Sequence, residues 1–62
     1  MPDRLVPNAA MLHEYMSTRG LSAEKTGKLA DVDRKTITKC LDGHSIKKYT
    51  AIKIASNLSL NL

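Results

Sequence analysis

The stretch from Leu21 to Gly43, LSAEKTGKLADVDRKTITKCLDG, leaves the chain few ways to fold. Apolar residues recur at helical spacing on both sides of Asp31-Val32-Asp33, which has room only for a tight turn. Ser22 is placed to cap a first helix over about Ala23 to Ala30, because a serine oxygen accepts from the exposed amides of a first turn. Asp33 is placed to cap a second helix, Arg34 to about Leu41. That helix ends near Gly43, since glycine takes the left-handed conformation at no steric cost. Ala30, Val32, Ile37 and Cys40 fall on one side; Arg34, Lys35, Thr36, Thr38 and Lys39 are left on the others. A short helix with an apolar back and a cationic, hydroxyl-rich front needs a body behind it and a polyanion before it.

The body must come from a chain of 62 residues without Trp or Phe. A domain of this size buries only ~60% of its unfolded surface. Its core must be Leu, Ile, Val, Ala and Met with some Tyr, which predicts marginal stability unless a partner adds burial. Residues 1–7 hold two prolines and no period, and read as an extended or mobile arm ahead of a domain over 8–62. Asn8 is a candidate cap for a helix from Ala9 to Arg19, with Met11, Leu12, Tyr15 and Met16 as its apolar stripe and His13 facing solvent. Gly20 ends it and Leu21 turns back inside. Residues 44–47 read as a loop or the start of the last helix, with Ser45 as candidate cap. Lys48 to Leu58 is helical, burying Ala51, Ile54, Ala55 and Leu58. Ser59-Leu60-Asn61-Leu62 suits a short strand, a frayed end or a contact with a second subunit. The fold expected is all-α, a compact bundle of four or five short helices.

Charge divides the chain. Residues 1–33 carry Arg4, Arg19, Lys25 and Lys28 against Asp3, Glu14, Glu24, Asp31 and Asp33, a net −1. Residues 34–62 carry Arg34, Lys35, Lys39, Lys47, Lys48 and Lys53 against Asp42, a net +5. Such asymmetry points to a nucleic acid or another anionic surface. The lone Cys40 makes no intrachain disulfide and suits a reducing cytoplasm. No apolar run approaches the ~20 residues of a membrane span, and the first ten residues lack the apolar core of a signal peptide.

Catalysis finds little support. Asp42, His44 and Ser45 are neighbours in a loop, without the oriented base and oxyanion site of a triad. Cys40 and His44 are four residues apart, but two ligands make no structural zinc site. Cys40 reads instead as a small core residue. Gly27 belongs to no phosphate-cradling pattern and reads as allowing close helix–helix approach.

Four features converge on DNA: the turn length, the apolar spacing around it, Ile37 anchored between Thr36 and Thr38, and cations at the start of the second helix. That end enters the major groove in helix-turn-helix proteins. Leu21 and Ser22, Gly27, Asp31-Val32-Asp33, Thr36-Ile37-Thr38 and Asp42-Gly43 resemble, without a gap, the helix-turn-helix of the phage repressor and Cro family, the Xre-type regulators. Thr50 to Ala55 is similar to that family's following helix, so the resemblance covers roughly residues 9–60. VDRKTITKCLDG also looks like the start of a LacI-type domain, but the whole helix at 9–19 favours the repressor family. The chain departs from the pattern at Asp31, where the family has a turn glycine, and at Gly27, where it has alanine.

The resemblance implies a lambda-repressor-like fold and a cytoplasmic, phage or bacterial transcription regulator, neither enzyme nor cofactor-bound, whose partner is double-stranded DNA. It implies base contacts by Arg34, Lys35 and Thr38, with Thr36 and Lys39 reaching bases or backbone. It implies phosphate contacts by Ser22 and Ala23 through helix amides, and by His44, Lys47 and Lys48. A weak homodimer, or a monomer that pairs on DNA, is expected. Family members pair an arginine and a glutamate at positions held here by Met16 and Leu41, which are expected to pack together instead. The rival expectation is a protein–protein interaction module, an antirepressor or adaptor, that reuses the fold.

Overall fold

The computed structural model describes residues 3–60. The elements in chain order are β1 (Arg4–Leu5), α1 (Ala9–Arg19), α2 (Ala23–Ala30), α3 (Arg34–Leu41), β2 (Ile46–Lys47) and α4 (Lys48–Leu58). The protein is a small all-α bundle, with one minimal antiparallel ribbon pairing Arg4 with Lys47 and Leu5 with Ile46. α2 packs most extensively on α3, α4 lies against α2, and α1 supports α3.

The helix starts follow local chemistry. Asn8 Oδ1 accepts from the Met11 amide at 3.0 Å, and Ser22 Oγ from the Lys25 amide at 3.2 Å. Asp33 has the extended backbone of a cap, φ −69° and ψ 149°, but its side chain makes no cap bond. Its carbonyl, rather than its carboxylate, accepts from the Thr36 and Ile37 amides.

All four helices stop the same way. The residue after each helix's last turn, or the one following it, swings to positive φ. The next amide then reaches back five residues to an orphan carbonyl: Leu21 to Met16, Val32 to Gly27, His44 to Lys39 and Leu60 to Ala55. Glycine occupies the left-handed position after α1 and α3, Gly20 at φ 62° and Gly43 at φ 81°. Asp31 at φ 60° and Ser59 at φ 55° occupy it after α2 and α4, where a Cβ makes it costlier.

The core is Leu12, Met16, Ala30, Ile37, Cys40, Ile46, Ala51, Ile54 and Leu58. Met11 and Tyr15 are half-buried, with Tyr15 against this cluster and the Arg19 guanidinium 4.0 Å above its ring. Met16 is buried and Leu41 packs half-buried against the same cluster, so neither points to solvent. Leu58 is core, as its place on the apolar face of the last helix implied, and Leu60 is half-buried against the same cluster. Its amide bond to Ala55 draws it back. The alternating tail is therefore a helix closure as far as Leu60, and Asn61 and Leu62 lie outside the described residues.

Two sequence expectations need correcting. Arg4 and Leu5 are a paired strand rather than a free arm. The Asp3 carbonyl accepts from the Lys48 amide at 2.7 Å and so caps α4, whose positional cap, Lys47, has no capping side chain. Ser45 does not cap α4, because β2 separates it from the first helical turn. Its hydroxyl accepts from Arg4 Nε at 3.1 Å and its carbonyl from Arg4 Nη2 at 2.7 Å. Gly27 admits the turn and the first residue of α3, so it does allow the close approach expected of it. A Cβ there would lie 2.8 Å from the Val32 carbonyl oxygen and 3.3 Å from the Arg34 amide nitrogen.

Candidate nucleic-acid interface

α3 is held at both ends and along its back. Ile37 and Cys40 are fully buried, and Val32 packs half-buried behind them. Burial pushes the Cys40 thiol above its ordinary range, so it stays protonated as a core side chain. α4 fixes the turn before α3 from below: Asn57 Nδ2 donates to the Ala30 carbonyl at 2.7 Å, and Lys53 Nζ lies 3.1 Å from Asp31 Oδ2. Neither tie was expected, because each joins residues over twenty positions apart.

With the back fixed, Arg34, Lys35, Thr38 and Lys39 are exposed together and line one shallow hollow on the front of α3. The Thr38 hydroxyl donates to the Arg34 carbonyl at 3.1 Å, which leaves its oxygen as an acceptor on an exposed side chain. Thr36 is half-buried and does not share that hollow. Lys39 also lines a second hollow with Arg4, Asp42, His44 and Ser45. Arg4 lines a third with Asp3, Lys47, Lys48 and Tyr49. The three hollows thus join through shared side chains into one track, from the start of α3 to the start of α4. Of the expected phosphate contacts, His44, Lys47 and Lys48 fall on it. Ser22 and Ala23, at the start of α2, line none of the three hollows.

Arg4 is the residue that sequence reasoning missed. It sits in the acidic half of the sequence, and only the pairing of β1 with β2 carries it to the basic face.

The track holds Arg4, Arg34, Lys35, Lys39, Lys47 and Lys48 against Asp3 and Asp42, a net +4, which equals the formal charge of the entire chain. The remaining charges, Arg19, Lys25, Lys28 and Lys53 against Glu14, Glu24, Asp31 and Asp33, cancel. Among the described residues, the two ion pairs, Lys28–Glu24 and Lys53–Asp31, both lie off the track.

Helix ends carry the same signal. The N-terminus of a helix is its positive end and favours acids. α2 sets Glu24 beside Lys25 in its first turn and has Lys28 in its last. α3 opens on Arg34 and Lys35 and α4 on Lys48, with no acid in either first turn. Both place cations where the fold alone disfavours them.

Among the described residues, no three His, Cys, Asp or Glu side chains converge on a metal site, and no helix is long and apolar enough to cross a membrane. No family model matches this chain, and no curated protein matches it.

Proposed function

We propose that this protein is a sequence-specific, double-stranded DNA-binding transcription regulator of the Cro and Xre kind, working in the cytoplasm without catalysis or a cofactor. The observation that carries the reading is the segregation of charge. The whole net charge lies unpaired on one track that includes the front of α3, and the rest of the molecule is neutral. A fold that places cations at two helix N-termini sacrifices some stability, and a polyanion restores it.

In this reading α3 lies in the major groove, which is about 12 Å wide and admits a helix. Arg34 and Lys35 donate to guanine edges, and the Thr38 methyl contacts thymine. Lys39, His44, Lys47 and Lys48 approach the flanking phosphates, which fix position without reading sequence. Ser22 and Ala23 offer α2 amides to a further phosphate. The small core suits a monomer or weak dimer that pairs on DNA, with half-sites about 34–36 Å apart.

Selection from a random duplex pool, followed by titration over a range of salt, tests the reading. The wild type is expected to show a steep fall of log K with log salt, as cations leave the phosphates. Arg34→Ala or Lys35→Ala should cost roughly 1–3 kcal/mol on the selected site and relax preference at one or two bases. Lys48→Ala should weaken selected and random duplexes alike and lower the slope by about one. A flat salt profile, or full affinity in both α3 variants, would reject the proposal and favour an interaction module.

A further inference from the structure

We infer that β1 is a DNA-binding element in its own right, and that it delivers Arg4 as a phosphate-backbone clamp beside α3; this rests on the DNA-binding reading above. The first ground is position. Arg4 is the one side chain shared by the hollow that reaches Lys39 and His44 and the hollow that reaches Lys47 and Lys48. Without it the front of α3 and the start of α4 are separate patches.

The second ground is the geometry of the guanidinium. Ser45 takes the Nε hydrogen through its hydroxyl and one Nη2 hydrogen through its carbonyl. An arginine has five N–H donors in a planar fork, so three remain, and the side chain is exposed. The Ser45 contacts fix the plane of the fork, and a pre-oriented fork loses little freedom on meeting a phosphate.

The third ground is a local conflict. Arg4 pairs directly with Lys47 in a ladder only two residues long. Directly opposed residues project to the same face with their Cβ atoms about 5 Å apart, and like charges there are destabilising. No carboxylate forms an ion pair with either among the described residues. The nearest acids, Asp3 and Asp42, share their hollows without bonding to them. A phosphodiester seated between Arg4 and Lys47 turns this repulsion into a joint attraction. β1 is therefore held together better on DNA than off it.

The test measures binding to a random duplex as a function of salt for the wild type, R4Q, R4K, K47Q and R19Q. R19Q removes the same charge from a site above the Tyr15 ring, off the track. R4Q should bind about tenfold more weakly at 0.1 M salt and lower the log–log slope by about one, as expected for one lost phosphate contact. R4K should keep the slope, because the charge remains, and R19Q should match the wild type. K47Q covers the case in which R4Q melts: it relieves the repulsion, so its thermal midpoint should hold or rise while its slope falls by about one. An unchanged slope in R4Q or K47Q overturns the clamp, as does an equal loss in R19Q. Equal weakening of R4Q and R4K at unchanged slope also overturns it, leaving Arg4 as a structural tie to Ser45. Those results differ from failure of the DNA reading, which would show as a flat salt profile in the wild type itself.

Discussion

α2 and α3 are both eight residues long, pack face to face and turn apolar sides to the same core, yet the charges of their first turns differ. α2 has its acid, Glu24, at the positive end beside Lys25, and Lys28 at the negative end, 3.9 Å from Glu24. Each arrangement adds a few tenths of a kcal/mol to helix stability. α3 begins with Arg34 and Lys35, has no acid in its first turn, and its cap Asp33 makes no side-chain bond. Local stability accounts for Glu24 and Lys28 of α2 and for Lys39 in the last turn of α3, and fails to account for Arg34 and Lys35. The difference lies in those first turns, where α3 carries two cations and no acid.

Reversing a charge on α3 breaks the comparison most sharply. Lys35→Glu makes the start of α3 resemble that of α2, and the two readouts should move in opposite directions. Affinity for duplex DNA should fall by roughly 3 kcal/mol, the upper end for one base contact, because a carboxylate also repels phosphate. Thermal stability should rise by about 0.3–1 kcal/mol, from the interaction of an acid with the helix N-terminus. Titration and a melting curve on the same preparation check both. A variant that loses binding and stability together would mean that Lys35 serves the fold.

The second test addresses how α2 carries α3. Helix propensity alone says that Gly27→Ala should stabilise α2 by about 0.5–1 kcal/mol. Packing says otherwise, because the new Cβ would lie 2.8 Å from the Val32 carbonyl oxygen, a backbone atom that no rotamer can move aside. Overpacking of this kind costs about 1–3 kcal/mol, so the net expectation is a loss of about 1 kcal/mol. In a domain of this length that lowers the melting midpoint by about 4–8 °C. The shifted turn carries Arg34 with it, so base preference should loosen even in the folded variant. A rise in midpoint would show that the turn yields freely.

How much of this was legible in the sequence follows from distance along the chain. The boundaries of α2 and α3, the Ser22 and Asn8 caps and the buried Ile37 and Cys40 all depend on residues within a turn or two of one another. Spacing and capping chemistry therefore suffice to find them. Arg4 was not legible, because a two-residue strand has no period to detect and its partner lies more than forty positions away. Ser45 was misread for the same reason, since a serine ahead of a helix resembles a cap until another segment occupies it. Gly27 was visible as an oddity, but the atom it makes room for, the Val32 carbonyl oxygen, is not a side chain and leaves no mark in the sequence.

The smallest expected effect concerns the turn itself. Asp31 holds φ 60°, a conformation that costs a residue with a Cβ about 1 kcal/mol and costs glycine nothing. Asp31→Gly should recover that amount but lose the contact with Lys53 Nζ at 3.1 Å. Asp31 is largely exposed, 81%, and Lys53 partly so, 40%, so the pair contributes only about 0–1 kcal/mol. The net gain is about 0.5 kcal/mol. Ser59→Gly, at φ 55° after α4, removes the same strain and no ion pair, so it should gain about 1 kcal/mol. Salt distinguishes the two contributions. In 1 M salt the screening length falls to about 3 Å and an exposed pair is largely silenced. The gain from Asp31→Gly should then rise toward that of Ser59→Gly, while Ser59→Gly itself stays constant. If the gap between the two variants persists at high salt, the contact with Lys53 does not account for the smaller gain at Asp31.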